Sequence, residues 1–95
     1  MDTRQNEVTA DKSYNGWTNY ETWLVNLWLT NEEVSDATLR EIVKHGQDYE
    51  AADALKAWVK DEYLPDLGAG LASDLVGAAL SEVDWLEIVT NHRAD

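Results

Sequence analysis

Thr18-Asn19-Tyr20-Glu21-Thr22-Trp23-Leu24-Val25-Asn26-Leu27-Trp28-Leu29-Thr30-Asn31 is the stretch whose reading decides the fold class. Its first four residues fit a capping box, with the Thr18 hydroxyl and the Glu21 carboxylate each satisfying a free backbone N–H at a helix start. Tyr20, Trp23, Leu24, Leu27 and Trp28 then recur at the i, i+3, i+4, i+7, i+8 spacing of an amphipathic helix. The run from Trp23 to Leu29 is also rich in β-formers, so a strand is the competing reading. Cap and period together favour a helix that stops near Thr30-Asn31.

The rest of the chain repeats this pattern outward from that helix. Ser35 or Asp36 can cap a second helix, with Leu39, Ile42 and Val43 inward and Gly46 as its stop. Asp48 opens a third that runs to about Tyr63, with Ala51, Ala52, Leu55, Trp58 and Val59 on one face, and Pro65 forbids its continuation. After Gly68-Ala69-Gly70 a fourth carries Leu71, Leu75, Val76, Ala79 and Leu80, and its small residues Gly77, Ala78 and Ala79 suggest a close helix–helix contact. Asp84-Trp85-Leu86-Glu87 fits another capping box and opens a short last helix with Leu86, Ile88 and Val89. The expectation is an all-α fold, a compact bundle of about five short helices with short connections. Residues 1–16 are polar and aperiodic and end in the turn signal Tyr14-Asn15-Gly16, so they are expected to form a flexible N-terminal tail ahead of one helical domain, residues 17–95.

Composition narrows the function. Hydrophobic residues make up 44% of the 95, enough for one modest core and too many for a disordered chain. Cysteine is absent, which removes disulfides and thiolate chemistry and fits a reducing compartment. Residues 1–13 hold no apolar signal-peptide core, and no apolar run approaches the ~20 residues that span a bilayer, so a cytoplasmic protein is expected. Nineteen acidic residues against seven basic ones give a net charge of −12. Such a chain is repelled by nucleic acid and anionic membranes and attracted to basic protein surfaces. Acidity can equally serve only solubility or adaptation to a salt-rich cytoplasm.

Catalytic constellations are thin. His45 and His92 stand in no metal-ligand spacing and suit helix-end cations. Asp61-Glu62-Tyr63-Leu64-Pro65-Asp66 lacks the order of a calcium loop, and Gly68-Ala69-Gly70 lacks the full phosphate-binding pattern. No enzyme activity, cofactor or metal is expected. The five tryptophans lie mostly on expected apolar faces, leaving Trp17, Tyr14 and Tyr49 as candidate exposed anchors. The acid clusters at Glu32, Glu33, Asp36 and Glu41 around helix two, and at Asp48, Glu50, Asp53, Asp61, Glu62 and Asp66 along helix three and its exit. Carboxylates three or four apart on a helix stand ~5–6 Å from one another. That falls within the range of phosphate spacings on DNA, whose strands advance about 3.4 Å per nucleotide. Any one such row is also what a solvated helix face looks like.

Two blocks carry a family resemblance. Asn15-Gly16-Trp17-Thr18-Asn19-Tyr20-Glu21-Thr22-Trp23, followed by Asn26-Leu27-Trp28, resembles the N-terminal signature of a family of small proteins from phages, plasmids and prokaryotic genomes. Leu71-Ala72-Ser73-Asp74-Leu75 through Ala79-Leu80-Ser81-Glu82-Val83-Asp84-Trp85 resembles its C-terminal signature. The family carries no established catalytic residues. The resemblance implies a mobile-element context, in which small acidic proteins inhibit host defence, among them anti-restriction and anti-CRISPR inhibitors that resemble DNA in charge. The expectation is therefore a monomeric, non-catalytic inhibitor acting in the host cytoplasm. Its ten carboxylates named above would meet the basic surface of a nucleic-acid-binding defence complex, with no direct contact to nucleic acid or membrane. The alternative is an adaptor that binds through an aromatic patch near Trp17 and Tyr49.

Overall fold

The computed structural model of the chain describes residues 14–94; residues 1–13, where most of the expected tail falls, and Asp95 lie outside them. Five α-helices follow one another: α1 (Tyr20–Asn31), α2 (Glu33–Ile42), α3 (Asp48–Trp58), α4 (Leu71–Ser81) and α5 (Trp85–Ala94). The strand alternative for Trp23–Leu29 is set aside, since that segment lies within α1. No strand occurs among the described residues; Tyr14 and Trp17 make one isolated bridge across a turn at Asn15-Gly16, both with positive φ. No helix there is long and apolar enough to cross a membrane.

The core gathers Leu29 of α1, Leu39 of α2, Leu55 of α3 and Ile88 and Val89 of α5, all fully buried. α3 packs most extensively on α5 and α1 on α2, whereas α4 makes no comparably close pairing. The small buried residues are Ala51 and Ala52 of α3. The close helix contact expected at Gly77, Ala78 and Ala79 does not form within the described chain: all three are exposed, and a Cβ on Gly77 would meet nothing within 4 Å.

The inward face of α1 differs from the expected stripe. Thr22, Val25 and Leu29 point to the core, while Tyr20 is 46% and Trp28 54% exposed and Trp23, Leu24 and Leu27 are half-buried. Residues i, i+3 and i+7 starting at Thr22 lie on the opposite side of a helix from a stripe centred on Tyr20, Leu24 and Leu27. A helix apolar on all sides has no preferred rotation, and polar contacts decide it. Here they decide it through Thr22. Its N–H and hydroxyl both donate to Asn19 Oδ1, at 2.9 and 2.6 Å, and its hydroxyl accepts from the Asp84 N–H at 2.8 Å.

Two further helix starts shift for related reasons. Asn19, not Thr18, is the N-cap of α1, its Oδ1 accepting the Thr22 N–H, while the Thr18 N–H donates to Glu87 Oε1 at 3.1 Å. α2 begins at Glu33, with Glu32 as the single residue between it and α1. Ser35, expected as a cap, is buried and donates instead to the Leu29 carbonyl at 2.6 Å, stitching the α1–α2 corner. α3 starts at Asp48 as expected, with Gln47 and Glu50 closing a capping box. Its last turn, Val59–Tyr63, widens into a π-helix closed by Leu64 N–H to the Val59 carbonyl just before Pro65. At the start of α5, Asp84 Oδ1 caps the Glu87 N–H, and Glu87 Oε1 accepts the Thr18 N–H at 3.1 Å.

Candidate functional site

Each of the ten expected carboxylates reaches the surface, with Asp36 the least exposed, but the fold divides them by what they touch. Four are engaged near positive charge or helix ends. Asp36 pairs with Arg40 at 2.9 Å, one turn on. Glu41 meets His45 Nε2 at 3.0 Å and Lys44 at 3.6 Å. Asp48 receives Arg93 Nη1, and Glu50 accepts the Gln47 N–H at 2.8 Å in its cap. These four cover α2 and the start of α3, where basic groups offset them.

The other six lie toward the α1–α2 corner and the exit of α3. Tyr63, carried outward by the π-turn, donates its hydroxyl to Glu32 Oε1 at 3.2 Å, a contact spanning 31 residues of chain. That contact ties the α1–α2 corner to the exit of α3. Burial and the neighbouring Glu32 charge both push the Tyr63 hydroxyl above its ordinary pKa, so it stays a donor. Trp58 packs on the Tyr63 ring, centroids 5.5 Å apart, and holds it in place. Asp53 and Asp61 border one shallow surface depression on the outer face of α3, with Lys56, Ala57 and Lys60 between them. Asp66 caps the Gly68 N–H at 2.9 Å in the following loop. Glu33, Asp53, Asp61 and Glu62 have no hydrogen-bond or ion-pair partner among the described residues. The acidic surface is thus Glu32, Glu33, Asp53, Asp61, Glu62 and Asp66, with Lys56 and Lys60 breaking its regularity on α3.

The histidines are placed differently from one another. His45 stands exposed at the end of α2 with Glu41, on the rim of an open groove of about 620 Å³ walled by Ala37, Ile42, Ala51 and Ala54. The hydrogen bond from His45, and then the Lys44 charge, hold the Glu41 carboxyl below its usual range. A general-acid carboxyl needs the opposite shift, produced by desolvation. His92, in the last turn of α5, bonds Asn26 Oδ1 of α1 at 2.9 Å and joins two helices. Among the described residues, no group of three or more His, Asp or Glu side chains could hold a metal ion.

The aromatic anchors are dispersed. Tyr14 and Tyr49 are exposed, whereas Trp17 is half-buried against the core. Tyr14 stacks edge-on with Tyr20 at 5.7 Å, and Tyr20 lies 5.7 Å from Trp23, so an aromatic row runs onto the outer face of α1. Sequence reasoning missed this row because it turned the α1 stripe inward.

The segment before and at the start of α1 meets the segment before α5. Asn19 Oδ1 caps α1 and its Nδ2 donates to the Glu82 carbonyl at 2.7 Å, while Thr22, Asp84, Glu87 and Thr18 complete the joint between the starts of α1 and α5. These hydrogen bonds form a clasp between the two helix starts. A search of curated proteins and a search of solved structures each returned no match. One family model matches residues 10–94 and so covers both blocks and the acidic middle of the chain. The chain belongs to that family, DUF7249, a family of unknown function.

Proposed function

We propose that the protein is a non-catalytic inhibitor that covers the basic, nucleic-acid-binding surface of a host defence complex with its acidic surface. The observation that carries this reading is the set of exposed, uncommitted carboxylates Glu33, Asp53, Asp61 and Glu62, continued by Glu32 and Asp66. Unpaired surface carboxylates keep their full field in solution, and a partner rich in Lys and Arg is drawn to them from a distance. The resemblance of Asn15–Trp23 to proteins carried by mobile elements is the ground for seeking that partner among defence complexes. In this reading Asp36, Glu41, Asp48 and Glu50 serve the fold of α2 and α3 more than recognition.

The combined variant Glu33→Gln, Asp53→Asn, Asp61→Asn, Glu62→Gln tests this division. Exposed pairs contribute about 0.2–1 kcal/mol each, so loss of four is expected to weaken partner binding by between about 4-fold and about 1000-fold. Helicity should be unchanged by circular dichroism, since none of the four holds another part of the described chain. Neutralising Asp36 and Glu41 instead should leave binding within about threefold. Equal losses from both sets would remove the case for the α3-exit surface.

A second reading rests on the outer face of α1, where Tyr20 and Trp28 are exposed among half-buried Trp23, Leu24 and Leu27. An adaptor binding there would hold its partner through apolar contact, and its affinity would be nearly indifferent to salt.

A further inference from the structure

Val59-Lys60-Asp61-Glu62-Tyr63-Leu64 sets three charged residues between apolar ones at the end of α3. Wound as a π-turn, the stretch buries Val59 in the core and leaves Tyr63 and Leu64 half-buried. Turns of this kind are frequent at functional sites. α4 pairs closely with no other helix and meets the core through Leu80 and Val76. Between α1, the π-turn and Leu80 of α4 a cavity of about 340 Å³ stays open. Leu24, Trp28 and Tyr63 wall it, and the buried Leu29, Val59 and Leu80 close its inner end. Every side chain that lines it is apolar or aromatic. An apolar cavity of about 150 Å³ admits a benzene ring, so this one has room for a large apolar side chain.

The mouth carries the opposite character. The Tyr63 hydroxyl donates to Glu32 Oε1 at 3.2 Å, which fixes a carboxylate beside the cavity wall. Glu33 follows Glu32 in the chain, Asp61-Glu62 precede Tyr63, and Asp66 stands two residues past Leu64. Lys60 is the one basic residue among them. Trp58 braces the Tyr63 ring, so wall and carboxylate are held together.

We propose that this cavity is the anchor pocket of the acidic surface. It takes one apolar side chain, of leucine to phenylalanine size, from a lysine- and arginine-rich segment of the partner protein. The proposal rests on the acidic-surface reading and adds the residue type that the partner carries among its basic groups. Exposed charge pairs contribute little each, whereas an apolar side chain leaving water for a closed pocket contributes more. Interfaces of this design place the apolar anchor at the centre and the charges at the rim.

Other occupants meet the wrong field. Nucleic acid and phosphate-bearing ligands bring negative charge to a mouth that already holds it. A second copy brings its own −12. A neutral apolar molecule fits the walls but makes no use of the carboxylates.

Three capped heptapeptides test the pocket by NMR titration of the full chain. One has a central leucine between two runs of three lysines, the second has alanine at the centre, and the third keeps the leucine but has serines for lysines. The leucine–lysine peptide should bind wild type at least about fivefold more tightly than the alanine–lysine peptide. That ratio should persist from about 0.15 M to about 0.5 M salt while both peptides weaken. The Leu29 and Leu80 methyl signals, inside the cavity, should move with the leucine–lysine peptide and stay in place with the alanine one. Trp28→Ala, at an exposed position, should bring the two lysine peptides within about twofold of each other. Equal binding of those two to wild type, or unmoved Leu29 and Leu80 methyls, would overturn the pocket; neither readout depends on a variant folding. A serine peptide that binds as tightly as the leucine–lysine one would overturn the choice of a basic partner segment. Failure of the acidic-surface reading shows separately, as an alanine–lysine peptide that the four-site variant binds as well as wild type does.

Discussion

Thr22→Val is expected to destabilise the domain by about 2–3 kcal/mol, lowering its melting temperature by about 10–20 °C. The two side chains are nearly the same shape, so the cavity term is small and the hydroxyl is what is lost. That hydroxyl is fully buried, donates to Asn19 Oδ1 at 2.6 Å and accepts the Asp84 N–H at 2.8 Å. Valine leaves the Asp84 N–H without a partner at the entrance to α5, and an unmade bond at a buried site costs more than a made one contributes. Thr22→Ser keeps the hydroxyl and removes one methyl group, so it should cost only about 1 kcal/mol. Thermal unfolding followed by circular dichroism separates the two variants. If valine and serine were equally mild, the clasp would not be what sets the rotation of α1.

Arg93→Met carries the second large effect, a loss of about 2 kcal/mol. From the last turn of α5, the guanidinium donates to the Val43 carbonyl at 2.7 Å, to His45 at 3.0 Å and to Gly46 at 2.8 Å. Those carbonyls end α2 and the turn after it, where helix geometry leaves acceptors unsatisfied. The same group reaches Asp48 at the start of α3, so one side chain joins three helices. A lysine keeps the charge but not the planar fork, and Arg93→Lys should recover less than half of the loss. Chemical denaturation of both variants gives the comparison. Full rescue by lysine would mean that charge alone matters at this position.

These two residues show where the sequence is legible and where it stops. Helix number and most boundaries follow from caps, from Gly46 and Pro65, and from local periodicity, all of which act within a few residues. The rotation of α1 does not, because its apolar residues surround the helix and the deciding bonds come from Asp84, 62 residues away. The contacts of Arg93, 45 to 50 residues back along the chain, likewise leave no local mark. Leu71 and Leu75 of α4 obey the period of a buried helix yet stand in solvent, since period alone says which residues share a face and not what covers it. The acid was legible as composition. Its division into engaged and free carboxylates depends on Arg40, Lys44, His45 and Arg93 arriving beside one part of it.

The division also gives the molecule two contrasting surfaces. The exit of α3 and the α1–α2 corner present carboxylates, whereas α4 presents leucines and small residues with little charge. Salt weakens contacts made through the first surface and has little effect on apolar contacts made through the second.

The most direct test of the acidic-surface account is affinity capture from a lysate of the natural host, with wild type and the four-site variant compared at low and high salt. The account predicts a DNA- or RNA-binding protein held by wild type at low salt, released at high salt, lost with the variant, and displaced by nucleic acid. A partner that resists high salt, or that the four-site variant holds equally well, would contradict it and shift the binding surface to the aromatic face of α1.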